Sequence, residues 1–155
     1  MTILSAQSIR MACDVEWPLG KPLIRPFVER GVSPGGKTFG LSSASYDLRV
    51  AKEVTLMGKD FQLATVMEYI TMPDFLAATI RDKSGWARAG LAVQNTHVNP
   101  GWRGYLTLEL SSHVDNWIII PAGEPIAQIV FELLDEPTEQ PYLGRYQDHP
   151  NVPMR

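Results

Sequence analysis

Between Ala78 and Leu110 the chain reads ATIRDKSGWARAGLAVQNTHVNPGWRGYLTLEL, a stretch that gathers most of the residue types able to do chemistry. Tyr105, Thr107 and Glu109 alternate with Leu106, Leu108 and Leu110, the two-residue period of a strand with one face on a core. With the leucines inward, Glu109 stands on the opposite face beside Thr107. Partial burial there would suit it to general acid–base work, and the competing reading is a solvated strand glutamate. Earlier in the stretch, Ser84 is placed to cap a short helical turn of Gly85, Trp86, Ala87 and Arg88, with Gly90 ending it. Unpaired N–H groups at the start of such a turn, joined by Lys83 and the Ser84 hydroxyl, suit a phosphate; the alternative is an ordinary capped surface turn. Ser84 and Arg88 lie four apart and share a face. Arg88 stays protonated, so it can hold an anion or stabilise developing charge but cannot act as a base.

These side chains need a scaffold, and the rest of the chain supplies the pattern of one. Asn99-Pro100-Gly101-Trp102-Arg103-Gly104 reads as a glycine turn entering the Glu109 strand, between a pair of strands. Tyr46, Leu48 and Val50 alternate with Asp47, Arg49 and Ala51, and further strands are predicted over 53–57, 62–70, 117–120 and 126–134. Met72-Pro73-Asp74 and Pro121-Ala122-Gly123-Glu124 mark turns. Ser5 is a predicted N-cap of a short helix that buries Leu4, Ile9 and Met11. The stretch 14–34 holds Pro18, Pro22, Pro26 and Pro34, which predicts irregular chain with short edge strands, Leu23, Ile24 and Phe27 covering the core. Residues 31–40 are rich in glycine and expected to be mobile. Many short strands with little helix predict an all-β barrel or sandwich. A β domain over 1–135 is followed by a polar, proline-rich tail over 136–155, counted in the same domain. That tail, with Tyr142 and Tyr146 as its aromatic anchors, is either disordered or an arm that folds over something.

Bulk properties narrow the function. A chain of 155 residues fits one domain with a sizeable core. A net charge of −3 gives no general attraction for nucleic acid or a membrane surface, so an anionic ligand needs a local basic cluster. The lone Cys13 excludes an internal disulfide framework and points to a reducing compartment. No apolar run reaches the length of a membrane span and no leader pattern opens the chain, so the cytoplasm is the expected location. His97, His113 and His149 are not at ligand spacing, and the H-x-E and P-C-x-x-C of zinc nucleobase deaminases are absent. Nucleotide chemistry would have to proceed without zinc.

Singly these signals are modest; their order along the chain is informative. Ser43 to Ala51 (SASYDLRVA) resembles the first motif of the dUTPase superfamily and Asp82 to Gly90 (DKSGWARAG) its second. Asn99 to Gly104 followed by Leu106-Thr107-Leu108-Glu109 is similar to the third motif in its dCTP deaminase form, and Gly123 to Ile129 (GEPIAQI) to the fourth. The tail Pro141 to Gln147 (PYLGRYQ) resembles the end of a dCTP deaminase, the Leu4-Ser5 start and Arg25-Pro26-Phe27 have counterparts there, and the glycine-rich last motif of dUTPases is missing.

The resemblance implies a distorted β-barrel of the dUTPase-like, jelly-roll-related kind with one or two short helices. It also implies a homotrimer with sites between subunits, and a pyrimidine deoxynucleoside triphosphate substrate carried with magnesium. On this basis Glu109 is the general acid–base, supported by Arg88 and Ser84. Lys83, Ser84, Gly85, Trp86, Ala87 and Arg88 form the triphosphate-binding segment, Thr107, Leu108 and Glu109 the base-binding strand, and Gln128, Tyr142 and Arg145 further nucleotide contacts.

Three departures bear on substrate. Asn99 stands where the family's pyrophosphatases, and usually its deaminases, carry an aspartate that in the former activates water. Asparagine cannot accept that proton, which counts against dUTP hydrolysis, though it can still hydrogen-bond a sugar or base. The segment Gln94-Asn95-Thr96-His97-Val98 is shorter than the family's hairpin, with His97 a candidate replacement contact. His149 stands where a glutamine usually closes over the phosphates, and histidine can also donate a hydrogen bond. The expectation is hydrolytic deamination of dCTP to dUTP and ammonia. A dUTP pyrophosphatase, a bifunctional enzyme forming dUMP from dCTP, and a catalytically silent nucleotide-binding trimer remain alternatives.

Overall fold

The computed structural model describes residues 2–14, 20–94 and 96–153; Pro18 and Asn95 lie outside the described residues. The strands of the described residues form two larger sheets and two ribbons, with two short helices. One sheet runs β1 (Thr2–Ile3), β13 (Pro125–Leu133), β8 (Leu76–Asp82), β10 (His97–Val98), with β5 (Tyr46–Arg49) also paired to β13. The other runs β2 (Ile24–Arg25), β7 (Phe61–Thr71), β11 (Arg103–Ser112), β9 (Leu91–Val93). The ribbons pair β6 (Val54–Leu56) with β12 (Ile118–Ile120) and β3 (Arg30–Val32) with β4 (Thr38–Gly40). Every pairing between these strands is antiparallel. This is a mostly β, distorted jelly-roll-like fold whose sheets do not close into a barrel.

The two-residue period explains the core. On β11, Leu106, Leu108 and Leu110 are buried while Tyr105, Thr107 and Glu109 are only half covered. On β13 the inward positions are Ile129 and Phe131, both fully buried, and on β5 Tyr46 and Leu48. Leu48, Ile80, Leu108 and Phe131 belong to one continuous apolar cluster between the sheets. The Tyr46 ring stacks on Phe27, and its hydroxyl accepts from the Val28 N–H at 2.9 Å, which anchors the proline-rich segment to the core.

Several local expectations change. The first helix, α1 (Ala6–Ala12), buries Ile9 and Ala12, whereas Met11 is 59% exposed; Ser5 is its N-cap but makes no side-chain capping bond. In α2 (Ser84–Arg88) the cap position belongs to Lys83, so Ser84 opens the helix instead of capping it. The glycine-rich 31–40 stretch, expected to be mobile, is the β3–β4 hairpin. Its turn is tied down by Glu124, which accepts from Gly35 N–H at 3.1 Å and from Lys37 Nζ at 2.7 Å. The strands flanking the Asn99–Gly104 turn do not pair with each other: β10 pairs with β8 while β11 pairs with β7 and β9, so the chain crosses from one sheet to the other between β9 and β10.

The tail is an arm. Thr138 N–H reaches Asp74 O at 3.0 Å, Tyr142 N–H reaches Pro100 O at 2.8 Å, and Tyr105 N–H reaches His149 O at 3.0 Å. Its route needs two glycines. A Cβ on Gly101 would come within 2.6 Å of Pro141, and one on Gly104 within 2.6 Å of the His149 nitrogen, while both residues have positive φ. No described helix is long and apolar enough to cross a membrane.

Candidate functional site

The arm and the start of β11 enclose a cavity of about 260 Å³. Glu109 and Thr107 line it from β11, Asn99 and Trp102 from the turn before the strand, Thr96 and His97 from the sheet crossing, and Tyr142, Tyr146 and His149 from the arm. The alternation of β11 presents Thr107 and Glu109 on one face, while Leu108 turns its side chain wholly into the core and can offer a ligand only backbone. Glu109 is half-buried and accepts one long hydrogen bond, from the Thr96 hydroxyl at 3.3 Å. The Thr107 hydroxyl is buried without a hydrogen-bond partner. An unmet buried hydroxyl is costly, so a cavity wall is where a ligand would relieve it.

The walls are firmly held. Trp102 donates from Nε1 to Tyr146 O at 2.9 Å, and Gln147 bridges Arg103 N–H at 2.9 Å and Gly101 O at 2.9 Å. Outside them, Arg103 pairs with Asp148 at 2.5 Å. His149 is only 5% exposed.

A second group of the expected residues sits elsewhere. Lys83 pairs with Asp47 Oδ1 at 2.7 Å, and Gln128 donates to the same oxygen at 3.2 Å. The register that sets Asp47 of β5 opposite Gln128 of β13, which in turn faces Arg81 of β8, brings the three motifs together. Asp47 was the residue that sequence reasoning left unassigned; a charged side chain in the otherwise apolar run Tyr46-Asp47-Leu48 was its signal. Beyond Lys83, Ser84, Gly85, Ala87 and Arg88 are exposed on α2. Trp86 is clamped, its Nε1 donating to Pro125 O at 3.0 Å and its ring lying 4.1 Å from Lys37 Nζ. Lys37 is the partner of the fully buried Glu124. Burial alone would push the Glu124 carboxyl up, but the Lys37 ammonium, the Ser33 hydroxyl and the Gly35 N–H outweigh it and hold it below the usual carboxylate range.

The structure therefore brings Asn99, Thr107, Glu109, Tyr142 and His149 to one cavity and joins Lys83 to Gln128 through Asp47. It does not unite the two groups within one chain. Among the described residues no hydrogen bond or ion pair links Arg88 to Glu109. Arg145 is exposed beside the Tyr146 ring, 4.7 Å from its centroid, and does not line the cavity. Thr96 and Tyr105 are cavity residues not assigned from the sequence: Thr96 enters through the sheet crossing, whereas Tyr105 shares the strand face of Thr107 and Glu109 and was there to be read from the alternation. Burial pushes the Cys13 thiol up to about 12, against an opposing backbone bond from Ile24, which disfavours the reactive thiolate. Among the described residues no three His, Cys, Asp or Glu side chains come together in a way that could hold a metal ion.

The fold is that of the dUTPases. The dUTPase of Staphylococcus bacteriophage 80alpha superposes with a TM-score of 0.56 at 18% identity, over 66% of this chain and 84% of that one. EIAV dUTPase gives 0.55 at 19%, over 67% and 87%. Within that class, the model of the dCTP deaminase-like family matches residues 51–134. The dCTP deaminase of Campylobacter fetus is 32% identical over 90% of this chain and 92% of its own length, and that of Pyrococcus abyssi 32% over 85% and 90%. The chain belongs to the dCTP deaminase-like family.

Proposed function

We propose that this protein deaminates dCTP hydrolytically to dUTP and ammonia. The observation that carries the reading is Glu109. It is a half-buried carboxylate in a small cavity, with a free Thr107 hydroxyl on the same strand face and an amide, Asn99, where a hydrolytic base for the phosphate would otherwise stand. A cytosine ring seated against β11 meets the Glu109 carboxyl, the one carboxyl group among the described residues lining the cavity and the group assigned to carry the protons. Water adds its oxygen to C4 as the C4–N3 π electrons move to N3, and Glu109 takes one water proton and passes it to N3. The second water proton travels by the same carboxylate to the amino nitrogen. The C4–N4 bond then breaks, ammonia leaves with the bonding pair, and C4 keeps the oxygen as a carbonyl. No metal enters these steps; magnesium belongs to the triphosphate, held by phosphate oxygens and water.

Arg88 is assigned to the cavity of a neighbouring copy in a homotrimer, together with Ser84 and Lys83 for the triphosphate. Its exposure on α2 supports this, since an arginine meant for the cavity of its own chain would be directed there. Held near the carboxylate, its guanidinium steadies Glu109 and the charge that develops at C4. Gln128 and Asp47 keep Lys83 in place.

One assay tests the reading. With dCTP and, separately, dUTP in the presence of magnesium, ammonia and pyrophosphate are followed together. Ammonia from dCTP without pyrophosphate is the expected result. Pyrophosphate from dUTP would replace the reading by a pyrophosphatase, both products from dCTP by a bifunctional enzyme, and tight binding without turnover by a regulatory binder. Sites shared between copies add a second result: inactive Glu109→Gln and Arg88→Ala proteins, mixed and reassembled, should regain activity.

A further inference from the structure

Among the described residues of the arm, His149 is the one histidine, buried in the cavity wall, and its tautomer is set by its neighbour. Its Nδ1 lies 2.9 Å from Pro150 O. A carbonyl oxygen only accepts, so Nδ1 carries the hydrogen and, in the neutral ring, Nε2 is left as an acceptor. The backbone around it is strapped to β11 by the Tyr105 N–H bond to His149 O at 3.0 Å, the Asp148 N–H bond to Arg103 O at 2.9 Å and a parallel bridge between His149 and Gly104. Beyond it, Asn151 accepts from the Thr65 hydroxyl at 2.8 Å, and Thr65 is the register partner of Thr107. The arm thus runs along β11 from the Gly104 end.

That placement separates His149 from Glu109. The step along the strand from Gly104 to Glu109 spans about 16 Å at roughly 3.3 Å per residue, too far for both side chains to grip one atom but close enough to hold two ends of one ligand. We propose that His149 Nε2 accepts a hydrogen bond from a sugar hydroxyl of the bound nucleotide, the 3′-hydroxyl of a deoxyribose, while Glu109 serves the base. An acceptor at that atom repels phosphate oxygens, which also only accept. The histidine therefore does a different task from a glutamine that closes over phosphates, whose amide N–H donates. The assignment rests on a pyrimidine nucleotide occupying the cavity.

Dissociation constants for dCTP, 2′,3′-dideoxy-CTP and deoxycytidine, measured by calorimetry on the full chain, test it. The unaltered protein should prefer dCTP over the dideoxy compound by about three- to tenfold, the size of one neutral hydrogen bond. His149→Leu and His149→Phe should bind the two equally, and His149→Gln, whose amide oxygen accepts, should restore part of the preference. Because the preference is a ratio within one protein, partial misfolding of a variant does not disturb it. Equal weakening of both nucleotides in the variants overturns the proposal, and so does a loss confined to the triphosphate and absent with deoxycytidine, which would place His149 at the phosphates. Ammonia release is read separately. A protein that keeps the sugar preference but releases no ammonia overturns deamination alone, and one that binds neither nucleotide overturns both.

Discussion

Two polar regions of the molecule are built on opposite plans. In the cluster of Asp47, Lys83, Gln128, Lys37 and Glu124, every carboxylate has a partner: Asp47 takes Lys83 and Gln128, and Glu124 takes Lys37 and Gly35. In the cavity beside β11 the polar atoms are underused: among the described residues Glu109 has one side-chain hydrogen bond, at 3.3 Å, the Thr107 hydroxyl has none, and His149 bonds through Nδ1. A folded chain leaves buried hydrogen-bonding capacity unmet only where it costs little or where a ligand completes it. On the proposed reading the paired cluster holds its motifs in position, Lys83 among them for the triphosphate, and the cavity beside β11 takes the base.

The comparison breaks first at Glu109. Glu109→Gln keeps the shape and one acceptor but loses the proton carrier, and ammonia release should fall by about 10²- to 10⁴-fold with nucleotide binding kept. Full activity in that variant would sink the assignment. On the scaffold side, the strongest effect is expected at Glu68, a fully buried carboxylate that meets Arg49 Nε at 2.7 Å and Arg49 N–H at 2.9 Å. Glu68→Ala leaves the Arg49 guanidinium buried without its partner, at a cost of about 3–5 kcal/mol by chemical denaturation. A cost near zero would mean that Arg49, stacked 4.4 Å from the Phe39 ring, finds water instead.

Much of the scaffold was legible because it rests on local period and turn chemistry. The leucines of β11, the strands around Val54, Val66 and Ile129, and the turn at Pro121–Glu124 all fall where alternation and glycine placed them. What escaped was tertiary. Asp47 gains its role only when β5, β8 and β13 pair, and a strand pattern does not announce its neighbours. The Asn99–Gly104 turn reads as joining a pair of strands, but the strands on either side of it lie in different sheets, β10 on β8 and β11 between β7 and β9. The arm was ambiguous because its route depends on main-chain bonds, such as Tyr105 N–H to His149 O, which leave no side-chain signature. Within the site, Glu109, Thr107 and Tyr105 are legible from the alternation of their strand, while Thr96 enters only through the sheet crossing.

A pH series sharpens the scaffold half of the comparison. The Glu124 carboxyl is held below its ordinary range, so its charged form is favoured more in the folded than in the unfolded chain. Its contribution is complete above the unfolded value of about 4.3 and is lost as pH falls through the lower folded value. Glu68 has the opposite sign. Burial, only partly offset by Arg49, pushes its carboxyl up, so its contribution is complete below the unfolded value and is lost as pH rises through the folded one. Glu124→Gln should therefore destabilise the fold by about 1–3 kcal/mol near neutral pH, the range for a partner lost from a buried charge-assisted bond. The gap between variant and unaltered protein should close as the medium becomes strongly acidic. A gap that widens with acid would reverse the sign assigned to Glu124.

The smallest effect separates the two regions most cleanly. Thr107→Val replaces a buried, unpartnered hydroxyl by a methyl of the same shape. If the hydroxyl were scaffold, its loss would destabilise the chain. If it waits for a ligand, the empty protein should be unchanged or more stable by up to about 1 kcal/mol, because an unmet polar group leaves the interior. Nucleotide affinity should meanwhile fall by about three- to tenfold. Denaturation of the empty protein and calorimetry with dCTP read the two numbers independently. Movement in opposite directions is the mark of a site whose polarity is maintained for what it binds, and a joint loss of stability and affinity would return Thr107 to the scaffold.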